Sequence, residues 1–372
     1  MKRNRWVVAT TMLTAALGVI GLAAPGVVAA ATPPTNIDGT MGSHCVGHHG
    51  GSPGATFKLV WRAGNGALVA RTNATVDADG VWSVCASGHR LSAGDSLTTT
   101  SAAGTNELQV PVLTMAVNRV KGYLNGQGPA GAVLRLHCDF TNGFEPCVWH
   151  EGVRVGPNGY WAGNVPFDVS GGEPYDAVWR SDDDDRVTVL AQAPFVNVEL
   201  GTANVSGALA PGATRTIFLF DGSMMRKGTA VVSGSLRGMS DDGSFDAVFR
   251  DTGGNPVAVL PGDTIDSTRL SSDSQFVVPS ISATATASND RVAGQCENTP
   301  SSQGYANVAL YRTGRLRGLA HFQGDGENGV FNFNFRHLGP FENEANVKPG
   351  DRLVIDCVQD GGDGALLTIF AN

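Results

Sequence analysis

Two short motifs recur along this chain at a spacing of about 85 residues. The first motif is a β-branched residue followed by any residue and then glycine. Its glycines are at 39, 122, 207 and 294, which lie 83, 85 and 87 residues apart. The second motif is Asp-Gly or Asn-Gly, with its glycine two residues before an aromatic residue. These glycines are at 80, 159, 243 and 329, one in each repeat of the first motif. Self-similarity at a fixed period marks tandem structural units. The 372 residues therefore predict four consecutive units.

Proline-containing junctions predict where one unit ends and the next begins. After a leader at 1–30, the expected units are 36–110, 111–193, 194–278 and 279–372. No flexible low-complexity linker separates them, so a stiff array is expected. A third element precedes an apolar-rich run in each unit; it is Gly-Asp at 94–95, 262–263 and 350–351, and Gly-Glu at 172–173.

The residue pattern inside each unit predicts β-strands. Asp-Gly and Asn-Gly between extended runs are typical of tight hairpins, because both residue types tolerate positive φ. Side chains then alternate, as at Phe245, Ala247 and Phe249, so one face is expected in the core. The aromatic residues at 82, 161, 245 and 331 are interpreted as the core plugs of their units rather than as ligand-stacking residues. With short strands, frequent turns and no helical periodicity after the leader, the predicted fold class is all-β: four tandem Ig-like antiparallel β-sandwich domains after a signal peptide.

The first 30 residues resemble an export signal. Lys2, Arg3 and Arg5 precede an apolar run over 6–24 that ends in small residues at 28–30. A membrane anchor is the alternative, but no stop-transfer charges follow, and no later run is long enough to span a bilayer. Secretion as an extracellular protein is expected, with a mature chain that starts near Ala31.

The net charge argues against a nucleic-acid partner. The chain has 26 Lys and Arg against 34 Asp and Glu, a net charge of −8. Removing 1–30 takes away three cations, which leaves 23 against 34, or −11. Nucleic-acid binders normally present a basic face to the phosphates.

Six cysteines in an oxidising compartment predict disulfide bonds. The repeat boundaries assign two cysteines each to the first, second and fourth units and none to the third. If each unit closes its own bonds, the pairs are Cys45–Cys85, Cys138–Cys147 and Cys296–Cys357.

Four histidines surround the first predicted disulfide, and they suggest a metal site. His44, His48 and His49 flank Cys45, while His89 follows Cys85 by four residues. Imidazole suits Zn²⁺ and Cu²⁺. A polar surface loop that happens to contain histidines is the alternative.

Other candidate chemistry is weaker. The four carboxylates at 182–185 could hold Ca²⁺, but the tract lacks EF-hand spacing and is interpreted first as a solvated hairpin loop. Gly50-Gly51-Ser52-Pro53-Gly54 matches the nucleophile pattern of α/β-hydrolases, but no helix is expected after it. No zinc-protease, phosphate-loop or dinucleotide motif occurs. The chain is therefore predicted not to be an enzyme, and no cofactor is expected unless Ca²⁺, Zn²⁺ or Cu²⁺ binds.

The Asp-Gly-x-Trp element at 79–82 and the Gly-Asp-x-Leu element at 94–97 resemble those of bacterial Ig-like and carboxypeptidase-regulatory-like β-sandwich repeats. The resemblance spans nearly all of 36–372, and it implies a spacer, an adhesive stalk or an accessory module. The predicted function is a secreted, non-enzymatic structural or adhesive protein with an extracellular protein or glycan as partner. The alternative is a carbohydrate-binding or accessory array, in which Trp61, Trp149, Trp179 and Tyr175 are the aromatic residues available as a sugar platform.

Overall fold

The computed structural model describes residues 36–49, 51–119, 121–141, 146–166, 169, 171–235, 243–266, 275–297, 305–323, 329–336, 345–359 and 362–372. In the strands it leaves aside the side chains of 139–141, 146–150, 305 and 321–323. The predicted export signal at 1–30 lies outside the described residues. The described part contains 28 strands and no helix. Consequently, it contains no helix that is long and apolar enough to cross a membrane.

The first two predicted units, which together form the first half of the chain, contain fourteen strands. Those within 36–110 are β1 (Asp38–Thr40), β2 (Cys45–His49), β3 (Thr56–Arg62), β4 (Leu68–Thr75), β5 (Val81–Cys85), β6 (Ser96–Ser101) and β7 (Gly104–Gln109). Those within 111–193 are β8 (Thr114–Asn118), β9 (Tyr123–Gln127), β10 (Val133–Thr141), β11 (Pro146–Arg154), β12 (Tyr160–Asn164), β13 (Pro174–Arg180) and β14 (Arg186–Gln192).

The last two predicted units form the second half and contain the other fourteen. Those within 194–278 are β15 (Phe195–Glu199), β16 (Asn204–Ala208), β17 (Thr214–Phe220), β18 (Arg226–Ser233), β19 (Ser244–Val248), β20 (Thr264–Ile265) and β21 (Phe276–Val277). Those within 279–372 are β22 (Ile281–Thr286), β23 (Arg291–Cys296), β24 (Tyr305–Arg312), β25 (Arg315–Gln323), β26 (Val330–Asn334), β27 (Arg352–Val358) and β28 (Gly364–Phe370).

Each half is built around one seven-stranded sheet that both of its units share. In the first half the order is β11-β10-β13-β14-β1-β2-β5, and β1 pairs with β14 in parallel. In the second half the order is β25-β24-β27-β28-β15-β16-β19, and β15 pairs with β28 in parallel. The remaining strands form a four-stranded and a three-stranded sheet in each half, with the same topology. All other strand pairings are antiparallel, so the predicted all-β sandwich class is confirmed. The division into four domains stays a prediction.

The inward side chains of each half form one apolar cluster. One cluster collects residues from 37 to 193 and the other residues from 196 to 371, so both units of a half contribute to the same core. Trp82, Trp161, Phe245 and Phe331 are all buried, which confirms their interpretation as core plugs. Burying a large aromatic side chain removes much apolar area from water, which stabilises the fold.

Glycine allows the backbone to approach these plugs closely. A Cβ at Gly294 would overlap the ring of Phe331 and the carbonyl oxygen of Ser282, and Gly207 has the same relation to Phe245. In the second unit this position is Gly126 under Trp161, whereas Gly122 of the repeating motif lies in a turn with φ of 59°. The motif therefore marks close approach to the plug in the third and fourth units only, whereas Gly39 of the first unit lies against Leu91.

The predicted tight hairpins at the Asp-Gly and Asn-Gly motifs are wrong. Gly80 has the expected positive φ of 78°, and the N–H of Asp77 donates to the carbonyl of Val81 at 2.8 Å. The strands on either side then diverge, because β4 belongs to the four-stranded sheet and β5 to the shared sheet. The same holds where β11 leads to β12, β18 to β19 and β25 to β26. The chain therefore passes from one layer of the sandwich to the other at each motif; Asp242 and Asn328 themselves lie outside the described residues.

The Gly-Asp elements place a buried carboxylate at the start of a strand. The carboxylates of Asp95, Asp263 and Asp351 each accept the backbone N–H of the residue three positions earlier, at 2.8 to 3.1 Å. Each carboxylate also accepts from a neighbouring strand, namely from Trp61, Lys227 and Arg312 respectively. In the second unit, the hydroxyl of Tyr175 donates to Glu173 at 2.8 Å instead.

A buried ion pair joins the two halves. The guanidinium of Arg119, just after β8, donates to Asp363 Oδ2 at 3.1 Å and to the carbonyl of Pro194 at 2.9 Å. Both side chains are almost fully buried. Asp363 Oδ1 also accepts the N–H of Val196 at 2.8 Å, so the same carboxylate fixes the start of β15. The sequence Asp-Gly-Gly-Asp-Gly at 360–364 is typical of a simple turn, but Asp363 is a buried carboxylate; Asp360 and Gly361 lie outside the described residues.

We expect Arg119→Met to destabilise the protein by about 3 kcal/mol, because it leaves the buried Asp363 without a counter-charge. Adding Asp363→Asn should recover most of this loss, since the amide oxygen still accepts from Val196. Denaturant unfolding of the full chain measures both. The control is Arg180→Met, which breaks the exposed pair with Asp184 and should cost under about 0.5 kcal/mol. Equal losses for Arg119→Met and the control would contradict the assignment.

Candidate binding faces

Three of the four histidines of the proposed metal site have separate partners. His89 Nε2 lies 2.8 Å from Asp95 Oδ2, and His48 Nδ1 lies 3.0 Å from Asp38 Oδ2. His44 Nδ1 lies 2.5 Å from the carbonyl oxygen of His89, and His49 is exposed at the end of β2. Within the described ranges, no three His, Cys, Asp or Glu side chains are grouped closely enough to hold a metal ion. Metal binding by these histidines stays a prediction.

The cysteines form bonds in the predicted places. Cys45 is bonded to Cys85 across β2 and β5, and Cys296 is bonded to Cys357, which links the three-stranded sheet to the shared sheet. Cys138 is also disulfide-bonded. The side chain of its expected partner, Cys147, lies outside the described residues.

The two described disulfides differ in burial, and we expect them to differ in reactivity. Cys85 is exposed, whereas Cys296 and Cys357 are buried in the core of the second half. Reductant under native conditions should therefore open Cys45–Cys85 first, because exchange requires access to the sulfur atoms. Alkylation followed by peptide mapping measures the order. All six cysteines should label in denaturant, and equal native rates for the two bonds would contradict the prediction.

The acidic tract at 182–185 forms the turn between β13 and β14, which we call the Asp182 turn (residues 181–185). Asp182, Asp183 and Asp184 are exposed, as expected of a solvated loop. Asp185 is not, because it is 0% exposed and its Oδ1 accepts the N–H of Ile37 at 2.7 Å. It also accepts from Asn106 at 2.8 Å. Calcium binding stays a prediction.

The aromatic residues expected as a sugar platform are mostly in the core. Trp61 and Tyr175 are buried, and Trp179 packs against the first-half cluster. The side chain of Trp149 lies outside the described residues. Ser52 lies in the loop between β2 and β3, with a strand rather than a helix after it.

Outward-facing aromatic residues instead lie on two faces of the second half; Phe370 is exposed, whereas Phe218 and Phe220 are half-buried. The first, the Phe218 face, is the outer surface of β17 and β18. The rings of Phe218 and Phe220 are 6.3 Å apart, and the Arg226 guanidinium lies 5.8 Å from the centre of the Phe218 ring. A cation over an aromatic ring is attracted by the negative ring face.

The second face, the Phe370 face, is the outer surface of the shared sheet in the fourth unit. Four side chains form a row across four strands, because β-register pairs Phe370 with Arg352, Arg352 with Tyr311, and Tyr311 with Leu316. The Arg352 guanidinium lies 4.6 Å from the centre of the Tyr311 ring. Phe370 is 63% exposed and Leu316 is 48% exposed. Leu319, in the next row, is also exposed.

The fold itself does not require these faces, because the first half lacks them. The register of the matching strands places Val60 and Arg62 where the second half has Phe218 and Phe220. In the same way, Pro174 and Gln192 occupy the positions of Arg352 and Phe370. Of the thirteen large apolar side chains exposed in the described residues, nine belong to the second half.

Sequence reasoning missed both faces, although a signal was present. Residues 216–220 are Thr-Ile-Phe-Leu-Phe, in which Ile217 and Leu219 point into the core. Since side chains alternate along a strand, the two phenylalanines must lie on the outer face. The four consecutive apolar residues at 217–220 therefore indicated a strand with two apolar faces.

A polar depression of about 430 Å³ lies on the shared sheet of the second half, over β15, β16, β19 and β28. Its polar lining residues are Asn197, Glu199, Asn204, Ser206 and Asp246. Asp356 lies beside it, where Asn197 Nδ2 donates to the carboxylate at 3.4 Å. Burial raises the pKa of Asp356 to about 6, although hydrogen bonds from Asn197 and Asn307 partly oppose this.

We expect Asp356→Asn to stabilise the protein at neutral pH. A raised pKa means that the fold favours the protonated acid, so the contribution of Asp356 to the free energy of unfolding is greatest below pH 4 and falls as the pH rises towards 6. The gain should be on the order of 2 kcal/mol at pH 7.5 and should vanish near pH 4. Chemical denaturation across this pH range measures it. A gain that is independent of pH would point to a packing effect instead.

No protein-family model matches the chain, and no curated protein is significantly similar to it. Solved structures give matches along most of its length. A tetra-tandem repeat from the extending region of a large adhesion protein is 13% identical, over 91% of this chain and 99% of that one, with a TM-score of 0.20. The BSP domain of a biofilm-associated protein is 9% identical, over 91% and 95%, with a TM-score of 0.19. The FN1-FN3 domains of chicken CNTN1 are 8% identical, over 92% and 100%, with a TM-score of 0.21.

Proposed function

We propose that this chain is a secreted, non-enzymatic adhesive protein of the bacterial Ig-like repeat type. In this proposal the first half acts mainly as a spacer, and the second half presents the contact faces. The disulfides fit an oxidising exterior, where such bonds persist. The shared sheets and the buried Arg119–Asp363 pair fit a stiff support.

The observation that carries the proposal is the difference between the halves. The two halves have the same strand topology, but among the described residues only the second has arginines over outward-facing aromatic rings, those of the half-buried Phe218 and Tyr311. The first half has one exposed aromatic side chain in its described part, Tyr160, and no such arginine lies over it. Aromatic residues and arginine are the side chains enriched in binding interfaces, whereas contiguous exposed apolar patches are rare on proteins that contact nothing.

Adhesion of the purified full chain to intact cells of the producing organism tests this proposal. Replacing Phe370 and Arg352 by alanine should reduce binding at least about tenfold if these residues form an interface centre. The control replaces Val60 and Arg62 by alanine, at first-half positions that correspond to the Phe218 face, and should leave binding unchanged. Equal binding by wild type and the Phe370 face variant would reject the face, and equal loss in the control would reject the division of labour.

Carbohydrate binding is the second candidate, and the polar depression on β15, β16, β19 and β28 favours it. Carboxylate, amide and hydroxyl groups line it, and these are the groups that hydrogen-bond sugar hydroxyls. Pull-down on insoluble polysaccharides tests this function. Retention that is lost in Asp246→Ala but kept in the Phe370 face variant would assign it to the depression, whereas recovery of the wild type in the supernatant would reject it.

A further inference from the structure

The Phe370 face has an arginine at its centre that lacks an ionic partner. Arg352 is exposed and contacts the ring of Tyr311, and it makes no ion pair within the described part of the chain. Arg317 is exposed at the bulge beside Leu316 and likewise has no ion pair with a described residue. A symmetric contact between two such faces would bring arginine against arginine, which is unfavourable. The complement of this face is therefore anionic.

The Asp182 turn is an exposed acidic element of the same chain. Asp182 and Asp183 are exposed and form no ion pair with the described residues. The buried Asp185 has one oxygen, Oδ2, without a hydrogen-bond partner. Burial raises the pKa of Asp185, and the charges of Asp183 and Asp38 add to the shift. A guanidinium at this turn would relieve that repulsion.

A homologous turn in the second half already accepts an arginine. Asp363 follows β27 as Asp185 follows β13, and each carboxylate accepts a backbone N–H near the start of a neighbouring unit, that of Val196 or Ile37. In the second half, the other oxygen of Asp363 binds Arg119. The turn between β13 and β14 is thus the equivalent of an arginine-binding turn, but Asp185 is buried, so the carboxylates that a second molecule can reach are those of Asp182 and Asp183.

The Phe370 face and the Asp182 turn lie at opposite ends of the folded molecule. β28 starts beside Asp363 at the junction between the halves and runs about 20 Å to Phe370, at 3.3 Å per residue. β14 starts beside Asp185 and ends two residues before Pro194, whose carbonyl is bound by Arg119 at the same junction. A face and a turn of one molecule therefore point away from each other.

We propose that the Phe370 face of one copy binds the Asp182 turn of a second copy, so that the chains associate head to tail. This inference rests on the proposed function, since it assigns a partner to one of the adhesive faces. Because the two contact surfaces differ and point away from each other, each contact leaves one free surface at either end, and the contact propagates along a row of copies. The small area offered by a turn makes each contact weak and reversible.

Sedimentation equilibrium of the full chain, from micromolar concentration to the solubility limit, tests this assembly. The weight-average mass of the wild type should rise with concentration and fall as NaCl is added. Arg317→Glu with Arg352→Glu reverses the face, and Asp182→Arg with Asp183→Arg reverses the turn. Each variant alone should associate at least about tenfold more weakly. An equimolar mixture of the two should associate again, because each then carries a complement of the other.

The control is Glu151→Arg with Glu297→Arg, which changes the net charge as the turn variant does but at exposed positions elsewhere. It should associate like the wild type. A wild type that stays monomeric, a mixture that stays monomeric, or an equal loss in the control would each overturn the proposal. If a monomeric wild type binds anionic polysaccharide and the face variant does not, the occupant is a glycan. Cell adhesion without self-association would reject this partner while leaving the proposed function in place.

Discussion

Parallel pairing between neighbouring units holds each half together. Three residues of β1 pair with three of β14, and three of β15 pair with three of β28. A strand that is unpaired at this edge would leave its N–H and C=O groups to water or to another chain. Through this pairing, two four-stranded sets and two three-stranded sets merge into two sheets of seven. The common cores follow from it, because the inward faces of two units become one surface.

Buried aspartates fix the positions of these strands. Asp185 and Asp363 each bind a backbone N–H at the start of the strand that pairs in parallel, Ile37 just before β1 and Val196 in β15. Asp95, Asp263 and Asp351 each hold a turn just ahead of a strand. A buried carboxylate is stable only when its oxygens find donors. The backbone N–H groups at these turns are such donors, because they are not paired with a neighbouring strand. Some of the acidic residues of the chain therefore stabilise the fold from inside, where they bind backbone N–H groups.

Local pattern and long-range pairing differ in how far the sequence reveals them. Alternation around Phe245 and Phe331 predicted the core plugs, and the repeat boundaries predicted Cys45–Cys85 and Cys296–Cys357, because both depend on residues within one unit. The Asp-Gly turns were misassigned, because a positive φ at Gly80 suits a hairpin and a crossing between layers equally well. Pairing of β1 with β14 spans about 150 residues and leaves no local mark. The candidate faces were missed because an outward Phe218 and an inward Leu219 are both apolar.

Pairwise sharing of a sheet also constrains how an array of this kind can change in length. Removal of the second unit would take away β14 and leave the edge of β1 unpaired. Removal of the third unit would take away β15 and leave the edge of β28 unpaired. Removal or duplication of two neighbouring units at once preserves both sheets. Related arrays should therefore differ by even numbers of repeats. Such arrays gain or lose a pair of units that share a sheet, rather than the single repeat that is visible in the sequence.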